Sequence, residues 1–236
     1  DNERRLRRAL DSDADVIVLD LEDAVAPAAK PAARDALRRL DPELLRRRPV
    51  VLRVNGTDSP FHADDMRLVE EVAGIDRIML PKASVESLDR LDASRTGIIA
   101  LIETAAGVEQ SGDIARDERV ARLMLGSADL AADLGVELSY DEVELAYPRA
   151  RLTMASAAAG IPAPIDAVYL SVRDPDGLAR STARGRAYGF AAKACIHPDQ
   201  VAIVNEALTP DVESIERARR IVALAEQMHE RQDGAV

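Results

Sequence analysis

The chain has 236 residues, 47% hydrophobic and 31% charged, which suits one globular domain and lies near the length of a single (β/α)8 barrel. A formal net charge of −11, from 31 basic and 42 acidic residues, argues against nucleic acid as a partner. No apolar run approaches the roughly 20 residues that cross a bilayer, the start Asp1-Asn2-Glu3-Arg4-Arg5 is unlike a signal peptide, and the single cysteine, Cys195, excludes an internal disulfide and fits a reducing cytoplasm.

In chain order, a basic helix is expected from Arg4 to Leu10. Short runs rich in β-branched residues follow at Val16–Leu19, Val50–Val54, Arg77–Leu80, Ile98–Ile102, Leu123–Leu125, Ile165–Leu170 and Phe190–Ile196. Most do not alternate, as expected of parallel strands buried on both faces. Amphipathic helices lie between them. Ser59 and Pro60 read as N-cap and first residue of one that carries Met66, Val69 and Val72 and stops at Gly74. Ser84 starts another with Val85, Leu88 and Leu91. Ser214 to Glu230 reads as a helix with Ile215, Ala218, Ile221, Val222 and Ala225 on its apolar side, and Gln232 to Val236 completes nothing further.

Repeated strand–helix units imply a parallel sheet, either doubly wound or closed into a barrel. A doubly wound sheet predicts a Gly-rich phosphate turn after an early strand, but the first strand here runs into Asp20-Leu21-Glu22-Asp23. The expectation is therefore an α/β chain with a TIM (β/α)8 barrel, residues 1–236 forming one domain and 213–236 its C-terminal helix. Only seven strands are counted, so the first barrel strand is expected upstream of Asp1.

Polar residues gather at the carboxyl ends of these strands, where barrels carry their chemistry. They are Asp20, Glu22 and Asp23; Arg53 and Asn55; Lys82; Glu103; and Asp129. Singly, each has a plain explanation. Thr104 or Asp129 suits a helix cap, and Arg53 suits neutralisation of the Asp20–Asp23 group. Jointly, Glu103 and Asp129 end successive strands and can reach one cation, and carboxylates without His or Cys nearby favour Mg²⁺ or Mn²⁺. Small Gly126, Ser127 and Ala128 let a ligand approach the backbone. Arg53 suits a bidentate grip on a substrate carboxylate. Lys82 is a poor Schiff-base candidate, because neighbouring carboxylates would keep it charged.

At these residues the chain closely resembles the citrate lyase beta subunit family within the HpcH/HpaI aldolase superfamily. The resemblance is carried by Asp20-Leu21-Glu22-Asp23-Ala24-Val25-Ala26-Pro27 with Lys30 and Arg34, Arg53-Val54-Asn55, Leu80-Pro81-Lys82-Ala83 and Ile102-Glu103-Thr104-Ala105-Ala106-Gly107. It continues through Leu125-Gly126-Ser127-Ala128-Asp129-Leu130, Ala163-Pro164-Ile165-Asp166-Ala167-Val168-Tyr169, Lys193 and Ile196-His197-Pro198. It implies a TIM barrel in a homotrimer or hexamer, with Mg²⁺ on Glu103 and Asp129 and metal-bound waters on Glu22 and Asp23. Arg53 would hold an α-keto acid, and Lys30 would contact coenzyme A. The implied reaction splits or forms a β-hydroxyacyl thioester, such as citryl-, malyl- or citramalyl-CoA, the carrier being coenzyme A or an acyl-carrier protein.

Asp23 stands where the pyruvate-aldolase branch usually has histidine, which favours the citrate-lyase-like branch. His197 is read as either a cap or a substrate contact. The chain stops about where a C-terminal lid begins in some relatives, so the catalytic base is not named. A thioesterase on malyl- or citramalyl-type thioesters and a non-catalytic subunit of a lyase complex are the alternatives.

Overall fold

A computed structural model describes residues 2–91 and 97–230; the expected tail Gln232–Val236 lies outside the described residues. Seven strands form one sheet: β1 Ile17–Asp20, β2 Val50–Arg53, β3 Ile75–Leu80, β4 Gly97–Ile102, β5 Val120–Leu125, β6 Ile165–Asp166 and β7 Ala192–Lys193. They pair in sequence order, every pair parallel. Helices lie before, between and after them: α1 Asn2–Leu10, α2 Lys30–Arg38, α3 Pro42–Leu45, α4 His62–Glu71, α5 Val85–Asp89, α6 Ala105–Arg116, α7 Ser127–Leu134, α8 Ala146–Ala159, α9 Pro175–Ala187, α10 Asp199–Leu208 and α11 Val212–Glu230. This is an α/β fold with a curled parallel sheet, as in a TIM-like barrel. Asn205 of α10 donates to the Asp13 carbonyl ahead of β1, which draws the two ends of the curl together.

The missing alternation in the strand sequences has its cause here. Leu52, Ile78, Leu80, Ile98, Ala100, Ile102, Leu123 and Leu125 pack in the cluster that includes helix residues such as Leu68, Leu88, Val108 and Leu152. The intervening Val51, Met79, Ile99, Leu101 and Met124 form a separate cluster on the other face. Both faces are buried along the middle of the sheet, so apolar residues occupy both positions of the pleat there, and polar ones such as Arg77, Arg122 and Arg53 fall toward the strand ends. Each fully buried Leu or Ile contributes roughly 1.5–3 kcal/mol.

Local signals set several boundaries. Ser84 caps α5 in a reciprocal capping box with Ser87. Thr104 caps α6 by accepting the Gly107 N–H. Ser59 does not cap α4, which starts later, at His62. Its hydroxyl and carbonyl accept from Phe61 and His62 in a turn that precedes the helix. That helix ends before Gly74, whose φ of +100° and approach to Leu45 exclude a larger side chain.

Two expectations need correction. β6 and β7 are two residues each, far shorter than Ile165–Leu170 and Phe190–Ile196, because only Ile165, Asp166, Ala192 and Lys193 find ladder partners. Phe190 is buried in the core without belonging to the ladder, and Leu170 is exposed. The apolar side expected for the C-terminal helix is not packed on the barrel: Ile221, Val222 and Leu224 of α11 are all more than half exposed.

Candidate active site

The strand-end residues are fixed by continuation of the ladder beyond the strands. Leu21 N–H donates to the Arg53 carbonyl, Ala83 N–H to Leu101 and Gly126 N–H to Ile102, at 2.9, 3.0 and 2.9 Å. These bonds hold the loops bearing Glu22 and Lys82 and the start of α7, which bears Asp129, around a common mouth.

Asp20 and Arg53 are register partners across β1 and β2. Asp20 accepts Arg53 Nε at 2.8 Å and Nη2 at 2.5 Å, while its two oxygens also accept the Glu22 and Ala24 N–H groups. Burial works against the Asp20 charge, but Arg53 and these two amides outweigh it and hold the carboxyl below its ordinary range. Asp20 thus folds the Asp20–Ala24 loop and aims the arginine. Both readings of Arg53 are compatible with this arrangement, since a guanidinium has five N–H donors and Asp20 accepts two of them.

Glu22 is buried. Its Oε2 lies 2.9 Å from Arg53 Nη1 as an ion pair, yet no hydrogen bond is aligned on that oxygen. Desolvation raises its pKa, with Arg53 and Lys82 opposing and Asp23 and Asp20 adding. Asp23 is exposed and, like Glu22, lines a polar cavity of about 380 Å³.

Glu103 follows β4 and is 5% exposed. Its Oε1 accepts the Lys82 main-chain N–H at 2.8 Å. Burial pushes its pKa up to about 7; the Lys82 amide and ammonium oppose this, and Asp129 and Glu22 add to it. Gly126 passes so close that an added Cβ would lie 2.6 Å from Glu103 Cβ and 2.7 Å from Glu103 Oε2. A glycine is therefore required beside this carboxylate. Asp129 lies in the first turn of α7, which begins at Ser127 on a Gly126 N-cap without a side-chain bond. Its capping explanation is thereby removed.

Lys82 has a left-handed backbone, φ 47°. Its ammonium sits 3.4 Å from Asp129 Oδ2 and 3.7 Å from Glu22 Oε1. Burial lowers its pKa, but Glu22, Asp129 and Glu103 together raise it further, so the amine is held as a cation. Lys30, expected at coenzyme A, is 5% exposed and donates to the Leu21 and Glu22 carbonyls at 2.6 and 2.8 Å, so it braces the loop from beneath. His197 Nδ1 accepts the Asp199 N–H at 3.2 Å in the turn before α10, whose N-cap position is Pro198.

Sequence reading passed over Asp65 altogether. It is 0% exposed and accepts from Arg34 and from both the main-chain N–H and Nδ2 of Asn55. Asn55 Nδ2 also donates to the Leu21 carbonyl, so the loop rests on a fully buried polar network. Neither Arg34 on α2 nor Asn55 after β2 marks Asp65 as a partner until the fold brings the three together.

Five carboxylates (Asp20, Glu22, Asp23, Glu103, Asp129) face two cations (Arg53, Lys82) here, and the surplus negative charge suits a divalent cation. The Glu22 oxygen, ion-paired with Arg53 but without an aligned hydrogen bond, and the glycine-lined Glu103 agree with that. Among the described residues no three His, Cys, Asp or Glu groups form a ready-made metal cage. Mg²⁺ does not require one, since it commonly takes one or two carboxylates and completes its shell with water and substrate oxygens.

Residues 1–198 match the family model for HpcH/HpaI aldolase/citrate lyase. The citrate lyase subunit beta-like protein of Mycobacterium tuberculosis is 38% identical over 220 residues, covering 89% of this chain and 77% of that protein. The chain belongs to this family. It is accordingly a lyase-type enzyme, as the resemblance led us to expect. A (3S)-malyl-CoA thioesterase of Cereibacter sphaeroides is 36% identical over 232 residues, 95% of this chain and 80% of the relative. The crystal structure of CitE from M. tuberculosis in complex with magnesium, acetoacetate and coenzyme A superposes with a TM-score of 0.76 at 34% identity, covering 94% of this chain and 84% of that one. Among the described residues no helix is long and apolar enough to cross a membrane.

Proposed function

We propose that this chain is a Mg²⁺-dependent carbon–carbon lyase. It would cleave, or form, a β-hydroxyacyl thioester of the citryl-, malyl- or citramalyl-CoA type, the other products being an acyl thioester and an α-keto acid. The observation that carries this reading is the convergence of Glu103 and Asp129 with Arg53 at one mouth, two carboxylates for a cation and one guanidinium for a carboxylate. The magnesium and coenzyme A of the M. tuberculosis CitE complex support the cofactor and carrier.

Glu103 and Asp129 would hold the cation, which supplies Lewis-acid polarisation of the keto-acid carbonyl. Arg53, aimed by Asp20, would bind the keto-acid carboxylate and fix its plane. Glu22 and Asp23 would hold waters on the cation. Lys30 supports the loop of Glu22 rather than the carrier in this reading. Hydrolysis of the thioester is the second reading, favoured by the malyl-CoA thioesterase relative.

The same reading takes the curled sheet as a TIM barrel with an eighth strand between β1 and β7; Val18, 46% exposed on β1, supports it. Assembly into a trimer or hexamer is supported by the uncovered apolar residues of α11. Glu103→Gln and Asp129→Asn test the site. Each should abolish Mg²⁺ binding in a calorimetric titration while the protein stays folded, and retained binding in both would refute the assignment.

A further inference from the structure

We propose that Lys82 is a catalytic residue whose ammonium binds the thioester carbonyl oxygen and stabilises the negative charge that develops there as the carbon–carbon bond breaks. This rests on the lyase reading above. In cleavage a proton leaves the β-hydroxyl, and the O–H pair becomes the carbonyl of the keto acid. The carbon–carbon bond breaks, and its electron pair moves into the thioester to give an enolate with its charge on the thioester oxygen. That enolate then takes a proton at carbon, which yields the acyl thioester. The keto acid and the thioester enolate carry separate oxygens, and a site committed to the first leaves the second in need of a donor.

The other cations of the cavity are occupied. Arg53 donates Nε and Nη2 to Asp20 and pairs Nη1 with Glu22, and its remaining donors are those assigned above to the keto-acid carboxylate. Lys30 Nζ donates to two main-chain carbonyls. Arg90, at the outer wall, is paired with Glu86. Lys82 differs: its ion pairs at 3.4 and 3.7 Å are longer than ordinary hydrogen bonds, and its side chain is 54% exposed into the cavity. Its main chain is anything but loose. The φ of 47° and the 2.8 Å bond from its N–H to Glu103 Oε1 fix the base of the side chain against a proposed metal ligand. A cation exposed to the cavity on a fixed root, beside the carboxylates proposed to bind the metal, is what a developing oxyanion requires.

Enolisation can be read without cleavage. The unchanged protein, Lys82→Met and Lys82→Arg would be incubated in D2O with Mg²⁺, oxamate in place of the keto acid, and acetyl-CoA or propionyl-CoA, with deuterium entry alpha to the thioester followed by NMR. Calorimetry would follow Mg²⁺ binding separately. Lys82→Met should slow exchange roughly 10²–10³-fold, the loss typical of an oxyanion donor, with Mg²⁺ affinity kept or raised because a neighbouring positive charge is gone. Lys82→Arg should recover part of the rate. Undiminished exchange in Lys82→Met would overturn the proposal alone, and so would a loss of Mg²⁺ affinity that accounts for the slower exchange. No exchange and no Mg²⁺ binding in the unchanged protein would overturn this proposal together with the lyase reading.

Discussion

Asp20 and Arg53 end adjacent parallel strands in register, and two hydrogen bonds at 2.8 and 2.5 Å lock the guanidinium to the carboxylate. The same carboxylate accepts the Glu22 and Ala24 amides, so one side chain fixes both the arginine and the acidic loop. Asp20→Asn removes the charge and one acceptor from this arrangement. A hydrogen bond to a charged group contributes about 1.5–3 kcal/mol, so the keto-acid Kd or KM should rise roughly tenfold or more, with a smaller change in Mg²⁺ affinity. Pyruvate titrated into the Mg²⁺-loaded variant checks this. An unchanged affinity would remove Asp20 from the positioning of Arg53.

Burial pushes the Glu103 carboxyl up to about 7 in the folded chain, from an ordinary value of 4.5. Between those values the folded state binds more protons than the unfolded one, so stability falls as pH rises through that window, by on the order of 3 kcal/mol. A cation on Glu103 must displace the proton. Mg²⁺ should therefore raise the Tm more at pH 8 than at pH 6, and Glu103→Gln should raise the Tm of the metal-free protein at pH 8 while abolishing the Mg²⁺ effect. Equal Mg²⁺-induced shifts at the two pH values would contradict it.

Asp166, at the end of β6, accepts from Arg149 Nε and Nη2 at 3.1 Å each and from Lys193 Nζ at 2.8 Å. All three residues are buried, and Glu142 and Ser181 complete the group. Removing the central charge leaves Arg149 with Glu142 alone and Lys193 with only the Ser181 hydroxyl, a change that typically costs about 3–5 kcal/mol. Asp166→Asn should lower the Tm by on the order of 10 °C and leave Mg²⁺ affinity within about twofold, since the group lies outside the metal-site residues. A thermal melt paired with calorimetry separates the two effects; a loss of Mg²⁺ binding in the folded variant would place Asp166 in the site.

The strand ends were legible because chemistry and geometry coincide there. Arg53, Glu103 and Asp129 each interrupt an apolar run at the point where a parallel strand must emerge from the core. The supporting contacts were not legible. Asp65 on α4 looks like any helix-surface carboxylate until the fold brings Asn55 and Arg34 against it. Lys30 carries no sign in sequence that its head is spent on two carbonyls. The length of β6 and β7 was overread because β-branched composition reports burial, whereas a strand also needs a partner in register.

The most direct test is a product assay with Mg²⁺ and malyl-, citramalyl-, β-methylmalyl- and citryl-CoA, following keto acid and free thiol separately. A lyase predicts keto acid from at least one of them, dependent on Mg²⁺ and lost in Glu103→Gln. Free thiol without keto acid would contradict carbon–carbon cleavage and establish the thioesterase in its place.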